Sequence, residues 1–580
     1  MTNVLERLDK MSSGSMLGFI NEAVSGFKDY IEENFSHCKV SLENGKEEYV
    51  IFVSAGNPSI RARVFTEAGT DLRKIFRRIK KKLSDLVYKQ HLNPQWIKLD
   101  VVSETKVIYF NELENLIAKT KKNYFRYGIA FDPEFRLAFL EQEINGNAMI
   151  REINKKLQLS EKNINRYVRE KYDVKFPFIK ERYRNKNVIL FKTKGIFLDS
   201  TDGIIRTLYD GDLMNGIRKT DSIEEEVKFL IEKATYFLVN MLKEDGKFEY
   251  GYFANFAKKI GTYNILRHSS SLYAMAEGYE VLQDEKIIRA VERGIDYLIQ
   301  EAVVYKNEDN MEMAFVVDHA NENEIKLGSN ATAILAMTKY MELTGSRKYL
   351  EIARALANGI IKMKTVSGGF IHVLTYPSYE IKDLYRIIYY EGEAIFSLLR
   401  LYAIDRDDRW LNEAKKSFDY FIRNDYWKHH DHWLSYAANE ITDYLPEDQY
   451  FIFGLKNCHA KLDFIYHRET TYPTFLELTM AAYKMIKKIK AQEKDYLLEH
   501  IDEDFLEETI DWRAEYQRVG FFYPELAMYT KNPELILHSF FIRHHSFRVR
   551  IDDIEHYLSG YIQYLLHRLP DVKKQPVRPA

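Results

Sequence analysis

Residues 390–422 read YEGEAIFSLLRLYAIDRDDRWLNEAKKSFDYFI, and this stretch decides the predicted fold. Apolar residues recur at a helical period on both sides of a polar turn at 405–408, which predicts two helices joined as a hairpin. Asp407 or Asp408 is expected to cap the second helix, because a carboxylate at that position accepts hydrogen bonds from first-turn amides.

The same hairpin recurs upstream at a spacing of about 62 residues. Three segments align without gaps: 279–299, 341–361 and 402–422. Their turn residues coincide and are all N-cap types: Asp284, Ser346 and Asp407. A repeat of helical hairpins indicates stacked or ring-closed helix pairs. Alternating helical segments predict six hairpins: 222–243 with 263–282, 285–303 with 329–343, 346–363 with 389–404, 408–425 with 431–444, 448–465 with 473–489, and 505–530 with 552–568.

One helix of each repeated pair is apolar nearly all round, which predicts buried inner helices beside outer helices with a wet face. Polar residues align just before these apolar runs: His268, Asn330 and Glu391, with Arg267, Ser329 and Tyr390 one place earlier. Polar groups at the same end of successive inner helices predict the lining of a central pocket.

The bulk composition excludes some classes of function. The 580 residues are too many for a single core, so two or more domains are expected. The chain has 84 basic and 86 acidic residues, which indicates neither a nucleic-acid partner nor a charged membrane-binding surface. Its two cysteines cannot form a disulfide framework, and no apolar run is long enough to insert into a membrane. A cytoplasmic protein is expected, and its oligomeric state is left open.

Residues 1–200 predict an α+β domain, followed by a linker at 201–221, the helical domain at 222–570 and a polar tail at 571–580. The expected strands are 39–42, 48–54, 59–65, 96–102, 106–109, 187–191 and 195–198, and the expected helices are 71–87, 134–144 and 147–157. Helix 71–87 carries a basic run that leaves an apolar stripe, which favours a solvated face over an anion site: Arg73, Lys74, Arg77, Arg78, Lys80, Lys81 and Lys82.

Glycine-aromatic patches fall in the loops between hairpins, at 245–250, 368–370 and 520–523. Together with six hairpins whose inner helices open on polar residues, they resemble the (α/α)6 toroid of the six-hairpin glycosidases, which the N-acylglucosamine 2-epimerase group shares. The resemblance implies a mainly α chain, with an (α/α)6 toroid after the α+β domain, that acts on an oligosaccharide or sugar derivative. No motif transfers catalytic residues from the family.

Glycosidic bond cleavage needs a proton donor and a second carboxylate. The expected pair comes from Glu391, Asp431 and Asp552, which gives a glycoside hydrolase as the first function considered. Glu391 is preferred to Glu393, because the two side chains lie about 200° apart around a helix and at most one can face a lumen. No cofactor is expected. No metal is expected either, because the neighbouring residues of 429–433 point in different directions at a helix start.

Histidines support a second function, a sugar epimerase or isomerase that uses His268, His432 or His556 to move a proton. A third interpretation is a toroid that binds a glycan or a partner protein without catalysis in a polysaccharide biosynthesis system. Whether the arginines of 548–550 bind an anionic substrate or are structural is left open. The substrate-binding candidates are Arg267, His268, Asn330, Tyr390, Trp433, Arg550 and Glu525.

Overall fold

The computed structural model describes residues 13–41, 45–172, 177–211, 213–308 and 311–572. The chain is mainly helical, and its first part combines helices with a sheet, as predicted. It forms two compact units: the first comprises 1–221, 252–258 and 519–549, and the second comprises 222–251, 259–518 and 550–580. Segment 519–549 therefore differs from the expected assignment to the helical domain. The predicted tail lies outside the described residues from 573 onward.

The first unit is built on an eight-stranded sheet in which every pairing is antiparallel. Its helices are α1 Ser13–Asn34, α2 Leu72–Gln90, α3 Phe110–Lys119, α4 Glu141–Gly146 and α5 Glu161–Tyr172. Its first strands are β1 Val40–Ser41, β2 Glu47–Asn57, β3 Ile60–Gly69, β4 Trp96–Tyr109, β5 Gly128–Ala130, β6 Ala138–Phe139, β7 Ile150–Ile153, β8 Lys156–Leu159, β9 Asn187–Asp199 and β10 Ile205–Thr207. The sheet order is β1-β2-β4-β9-β5-β6, with β3 on β2 and β10 on β9.

Three predictions in this unit are wrong. The segment expected to be helix 134–144 contains strand β6 and is helical only from Glu141. The segment expected to be helix 147–157 contains most of the hairpin β7–β8, whose turn residues Asn154 and Lys155 both have positive φ, at 50° and 62°. A turn of this conformation matches the twist of paired strands. The sequence Asn-Lys is a weaker signal for such a turn than Asn-Gly, so the hairpin was not predicted. The expected linker contains β10, which pairs with β9 and so belongs to the sheet.

Residues near the C-terminus complete the core of the first unit. Met528 and Tyr529 are fully buried in a cluster that includes Phe52 and Trp96. The hydroxyl of Tyr529 lies 2.8 Å from Oγ of Ser54 on β2. Segment 519–549, which contains the short helix at 524–527, is therefore structurally part of this unit.

The second unit consists of helical pairs, with the predicted inner and outer helices. The inner helices are α7 Ile265–Leu282, α9 Leu327–Thr344, α11 Tyr389–Asp405, α13 His432–Tyr444, α16 Thr474–Ala491 and α19 Ile551–Gln563. The outer helices are α6 Ile223–Met241, α8 Glu285–Ala302, α10 Leu350–Lys362, α12 Asp408–Arg423, α14 Asp448–His459 with α15 Leu462–His467, and α17 Glu503–Tyr516. Each inner helix packs against the next, and α19 packs against α7, so the six contact one another in a closed cycle.

The remaining elements are short. They are α18 Pro524–Ala527, α20 Leu569–Val572, β11 Gly251–Phe253, β12 Lys258–Lys259, β13 Val303–Glu308, β14 Met311–Asp318, β15 Glu324–Lys326, β16 Val373–Thr375, β17 Ile381–Asp383 and β18 Arg548–Arg550. Strands β13 to β17 form an antiparallel sheet in the second unit that the helical periodicity did not predict. Of the helices within the described ranges, none combines the length and apolar character needed to cross a bilayer.

The turns of the repeated hairpins have equivalent backbone conformations. Gln283, Gly345 and Arg406 occupy matching positions, and each ends an inner helix with positive φ. Asp284 and Asp407 then cap the following outer helices through side-chain hydrogen bonds, as predicted. The middle copy differs, because α10 begins only at Leu350, beyond the expected cap Ser346.

Candidate functional site

The repeated polar position at the start of the inner helices contacts the outer helices. Nε2 of His268 lies 2.9 Å from the carbonyl oxygen of Gly294 in α8, and Nδ2 of Asn330 donates to the carbonyl of Leu356 in α10 at 3.3 Å. Burial lowers the pKa of His268 to about 4, so its ring is neutral near pH 7. The expectation that His268 and Asn330 line a pocket is therefore corrected, because their polar atoms are engaged between helices.

The two glutamates of α11 have different surroundings. Oε1 of Glu391 accepts a hydrogen bond from the hydroxyl of Tyr426 at 3.4 Å and lies 3.6 Å from Nε2 of His372. Burial and the charge of Asp431 raise the pKa of Glu393 well above its ordinary value. Glu393 also interacts electrostatically with groups on α19, so it is the better placed of the two for a shared site.

Asp552, at the start of α19, is held between two arginines. Nε of Arg267 lies 2.9 Å from Oδ2, and Nη2 of Arg550 donates to the same oxygen at 2.6 Å. Burial raises the pKa of Asp552, but the two guanidinium groups outweigh it and lower the pKa. An ionised carboxylate cannot donate a proton near neutral pH, which argues against Asp552 as a catalytic acid. Arg267 and Arg550, which were expected to bind substrate, are thus paired with Asp552, an acid of the protein itself.

Three inner helices bring two histidines and a glutamate together. His432 begins α13, Glu477 lies in the first turn of α16, and His556 lies in α19. Oε2 of Glu477 lies 3.0 Å from Nδ1 of His556 and 4.0 Å from Nε2 of His432. The imidazole centroids are 5.1 Å apart, with the rings nearly perpendicular at 86°. The His556 side chain is 22% exposed against 3% for His432, so His556 is the accessible member.

These histidines differ in charge. Burial lowers the pKa of His556, but the carboxylates of Glu555 and Glu477 outweigh it and raise the pKa to about 10. Burial and the neighbouring charge of His556 lower the pKa of His432 well below its ordinary value. Near neutral pH the site therefore contains an imidazolium beside a neutral imidazole. Such a separation of pKa values is how a protein assigns an acid and a base.

Buried carboxyl groups surround the pair. Burial raises the pKa of Glu555 to about 8, although the charge of His556 and a hydrogen bond from Ser270 oppose the rise. Burial also raises the pKa of Asp431 to about 7, against two first-turn amides that donate to its carboxylate as the N-cap of α13. Asp431 can therefore carry a proton near neutral pH and donate a hydrogen bond, whereas the carboxylate of Glu555 is one of the two that hold the proton on His556.

Aromatic residues fill the interior beside the histidines. The Trp433 ring lies 6.2 Å from that of Phe396 and 6.4 Å from that of Tyr273, measured between centroids. The latter contact joins α13 to α7, which are not neighbours in the cycle, so it crosses the interior. Trp433 is only 3% exposed, and Tyr390 is 8% exposed and packs on His372. Neither is an open stacking platform of the kind expected for a sugar.

Glu525 is not part of the cluster of histidines and carboxyl groups in the second unit. It lies in the first unit, where its carboxylate is fully buried and accepts a hydrogen bond from Nη2 of Arg218 at 2.7 Å. Burial raises the pKa of Glu525, but the guanidinium of Arg218 outweighs it and lowers the pKa. The expectation of a substrate-binding role for Glu525 is therefore corrected to a structural ion pair.

Within the described part of the chain, the candidate metal ligands are also His432, Glu477 and His556. One atom each of His432, Glu477 and His556 lies within 4.8 Å of the others. Two histidines and a carboxylate suit a transition metal. An imidazolium has hydrogens on both ring nitrogens, however, so His556 in its protonated form cannot be a ligand. Metal binding at this site would therefore require His556 to release a proton first.

Glu393, Glu477 and Glu555 were not among the candidates chosen from the sequence. Glutamates in the first turns of helices usually complement the helix dipole, so Glu477 alone gave no distinctive signal. The three glutamates share one feature that could have identified them in the sequence: each lies within the first five residues of an inner helix.

No protein-family model matches the chain, and no curated protein sequence matches it. Among solved structures, a sugar epimerase from a ruminal bacterium is 14% identical over 60% of this chain and 100% of its own, with a TM-score of 0.46. The cellobiose 2-epimerase from Bacillus thermoamylovorans is 12% identical over 60% and 99%, with a TM-score of 0.44. An alpha-1,6-mannanase from a Salegentibacter species is 13% identical over 60% and 99%, with a TM-score of 0.41. These similar structures include sugar epimerases and a mannanase, the kinds of protein that the sequence resemblance named.

Proposed function

We propose that the second unit is an (α/α)6 toroid that binds a sugar and catalyses its epimerisation or isomerisation by proton transfer. The closed cycle of inner helices supports the toroid. The observation that carries the reaction is the pairing of an imidazolium, His556, with a neutral imidazole, His432, 5.1 Å apart across Glu477. The geometry thus favours the second function considered from the sequence over the first.

In this mechanism the sugar reacts in its open-chain form. Nε2 of His432 removes the proton from the carbon beside the carbonyl group, and the electron pair moves onto the carbonyl oxygen. His556 donates its proton to that oxygen, so the intermediate is a neutral enediol. For isomerisation, protonated His432 returns its proton to the former carbonyl carbon, and the now neutral His556 takes the proton of the neighbouring hydroxyl group as the new carbonyl forms. For epimerisation, the enediol first turns its opposite face to His432, which returns the proton to the original carbon while His556 takes back the proton it had given to the oxygen. Both histidines end in their starting protonation states. Glu477 keeps His556 protonated and oriented.

Deuterium exchange tests the proposal without requiring that the preferred sugar is known. The protein is incubated in D2O with D-glucose, D-mannose, cellobiose or N-acetyl-D-glucosamine, and NMR follows deuterium at the carbon beside the carbonyl. We expect exchange with at least one sugar, and loss of exchange by more than about a hundredfold in His432→Asn and His556→Asn. Lys348→Gln, on the surface beside outer helix α8, is the control and should exchange normally. Exchange that persists in both histidine variants contradicts the proposal.

Glycoside hydrolysis is the second candidate, because one observation favours it. Glu555 has a pKa of about 8, so in this alternative Glu555, in place of His556, holds the proton that passes to a leaving oxygen. The partner carboxylate would come from Glu393 or Asp431, since Asp552 is paired with two arginines. Reducing-end release from oligosaccharides that Glu555→Gln abolishes and His432→Asn preserves would establish hydrolysis instead.

A further inference from the structure

The first unit contains a groove that the sugar chemistry does not use. Its volume is about 840 Å³, and it lies between β3, the second half of α2 and the end of α5. Cavities of this size accommodate small molecules and cofactors. The groove is lined by more basic than acidic side chains: Arg61, Arg63, Lys82, Arg169 and Lys171 against Asp85 and Glu170.

The acidic residues of the groove are already paired. Oε2 of Glu170 accepts from Nη1 of Arg61 at 2.6 Å, and Oδ1 of Asp85 lies 2.9 Å from Nζ of Lys89. Two of the basic residues are also neutralised, by carboxylates outside the groove. Nζ of Lys82 lies 2.7 Å from Glu67, and Nζ of Lys171 lies 2.7 Å from Glu143.

Arg63 and Arg169 hold the excess charge. Nη1 of Arg63 donates to the backbone carbonyl of Glu170 at 3.1 Å, and Nε of Arg169 donates to that of Asn165 at 3.2 Å. Within the described ranges, neither guanidinium lies within salt-bridge distance of a carboxylate, and both residues are exposed. Each retains further N–H donors in the planar arrangement that suits phosphate.

The groove also has an apolar part. Val64 and Leu86 are 7% exposed, and Phe65 is half-buried with Nζ of Lys82 5.1 Å from its ring centroid. Two uncompensated guanidinium groups next to an apolar surface suit a ligand that has phosphate at one end and a flat apolar ring at the other. We propose that this groove binds a nucleoside phosphate, through Arg63 and Arg169 on its phosphates and the apolar surface on its base.

Calorimetric titration of the full chain with ADP, and separately with pyrophosphate, tests the proposal. We expect saturable ADP binding, and weaker pyrophosphate binding because pyrophosphate has no base to bury. Arg63→Gln and Arg169→Gln should each weaken ADP binding by about tenfold or more, since each removes a charge-assisted contact. Arg184→Gln is the matched control, because Arg184 is an exposed arginine of the same unit that pairs with Glu181 outside the groove. It should leave the affinity unchanged.

Each outcome of this experiment decides the proposal. ADP binding that both groove variants weaken and the control preserves supports it. Absence of saturable ADP binding up to about 1 mM, or binding that both groove variants leave unchanged, overturns it. Pyrophosphate binding as tight as that of ADP overturns the assignment of the apolar surface to a base. Thermal melts of the variants verify that they are folded, and none of these results depends on turnover of a sugar.

Discussion

The charge of Glu477 is expected to set the protonation of His556. Its carboxylate lies 3.0 Å from Nδ1 of the imidazole, and the carboxylate is buried. A unit charge at that distance contributes about 5 kcal/mol at an effective dielectric constant of about 20. Glu477→Gln removes this charge with little change in shape. About 5 kcal/mol corresponds to between three and four pKa units as an upper limit. The charge of Glu555, the larger contributor, stays in place, so the pKa of His556 should fall from about 10 towards the ordinary histidine range and remain above it.

The assay has two readouts. NMR titration of histidines labelled at Cε1, assigned through His556→Asn, measures the pKa of His556 in the wild type and in Glu477→Gln. Deuterium exchange into the sugar measures the reaction. Because the reaction needs the imidazolium, the rate is lost as the pH rises through the pKa of His556. We expect that loss near pH 10 in the wild type and at a lower pH, set by the reduced pKa of His556, in the variant.

The matched control is Glu285→Gln, which changes an exposed glutamate at the start of α8. It should leave the His556 titration and the rate profile unchanged. If Glu477→Gln leaves the pKa of His556 where it is in the wild type, the electrostatic account of the site is refuted. If the pKa falls while the rate profile does not move, His556 is not the acid.

Other predictions concern stability. His268→Ala should lower the free energy of unfolding by about 2 kcal/mol, measured in urea, because it removes a buried hydrogen-bond partner of Gly294. The rate of deuterium exchange per folded molecule should not change. Loss of exchange in this variant would show that His268 takes part in the reaction. Glu525→Gln should cost about 3 kcal/mol by breaking a buried ion pair, with no change in sugar turnover. Gly359→Ala should cost about 1–3 kcal/mol, because its Cβ would lie 2.3 Å from the carbonyl oxygen of Ala314; an unchanged melting temperature would contradict that contact.

The helical hairpins could be predicted because their information is local. Apolar periodicity and N-cap residues such as Asp284 and Asp407 recur at a fixed spacing, and the helices begin close to the expected residues. The orientation of each inner helix could not be predicted in the same way. Such helices are apolar nearly all round, so the repeat shows that His268 and Glu391 are equivalent without showing which side of the helix is inside.

Only some residues of the candidate site could be predicted from the sequence, because the others are distinguished by packing and not by local sequence. His432 and His556 are conspicuous in the sequence because histidines are few, whereas Glu477 is one glutamate among many. What distinguishes Glu477 is its place between two histidines from helices on either side, which is a property of the packing. The pKa values that separate acid from base come from the same packing, through burial and neighbouring charges.

The return of residues 519–549 to the first unit has a consequence for how the chain acquires its structure during synthesis. Residues 1–221 are synthesised well before Met528 and Tyr529, two side chains that belong to the buried core of the first unit. A fragment cut at residue 221 would lack the same two side chains. Dissection of this protein into separately expressed halves should therefore fuse 519–549 to the front piece through a short artificial connection.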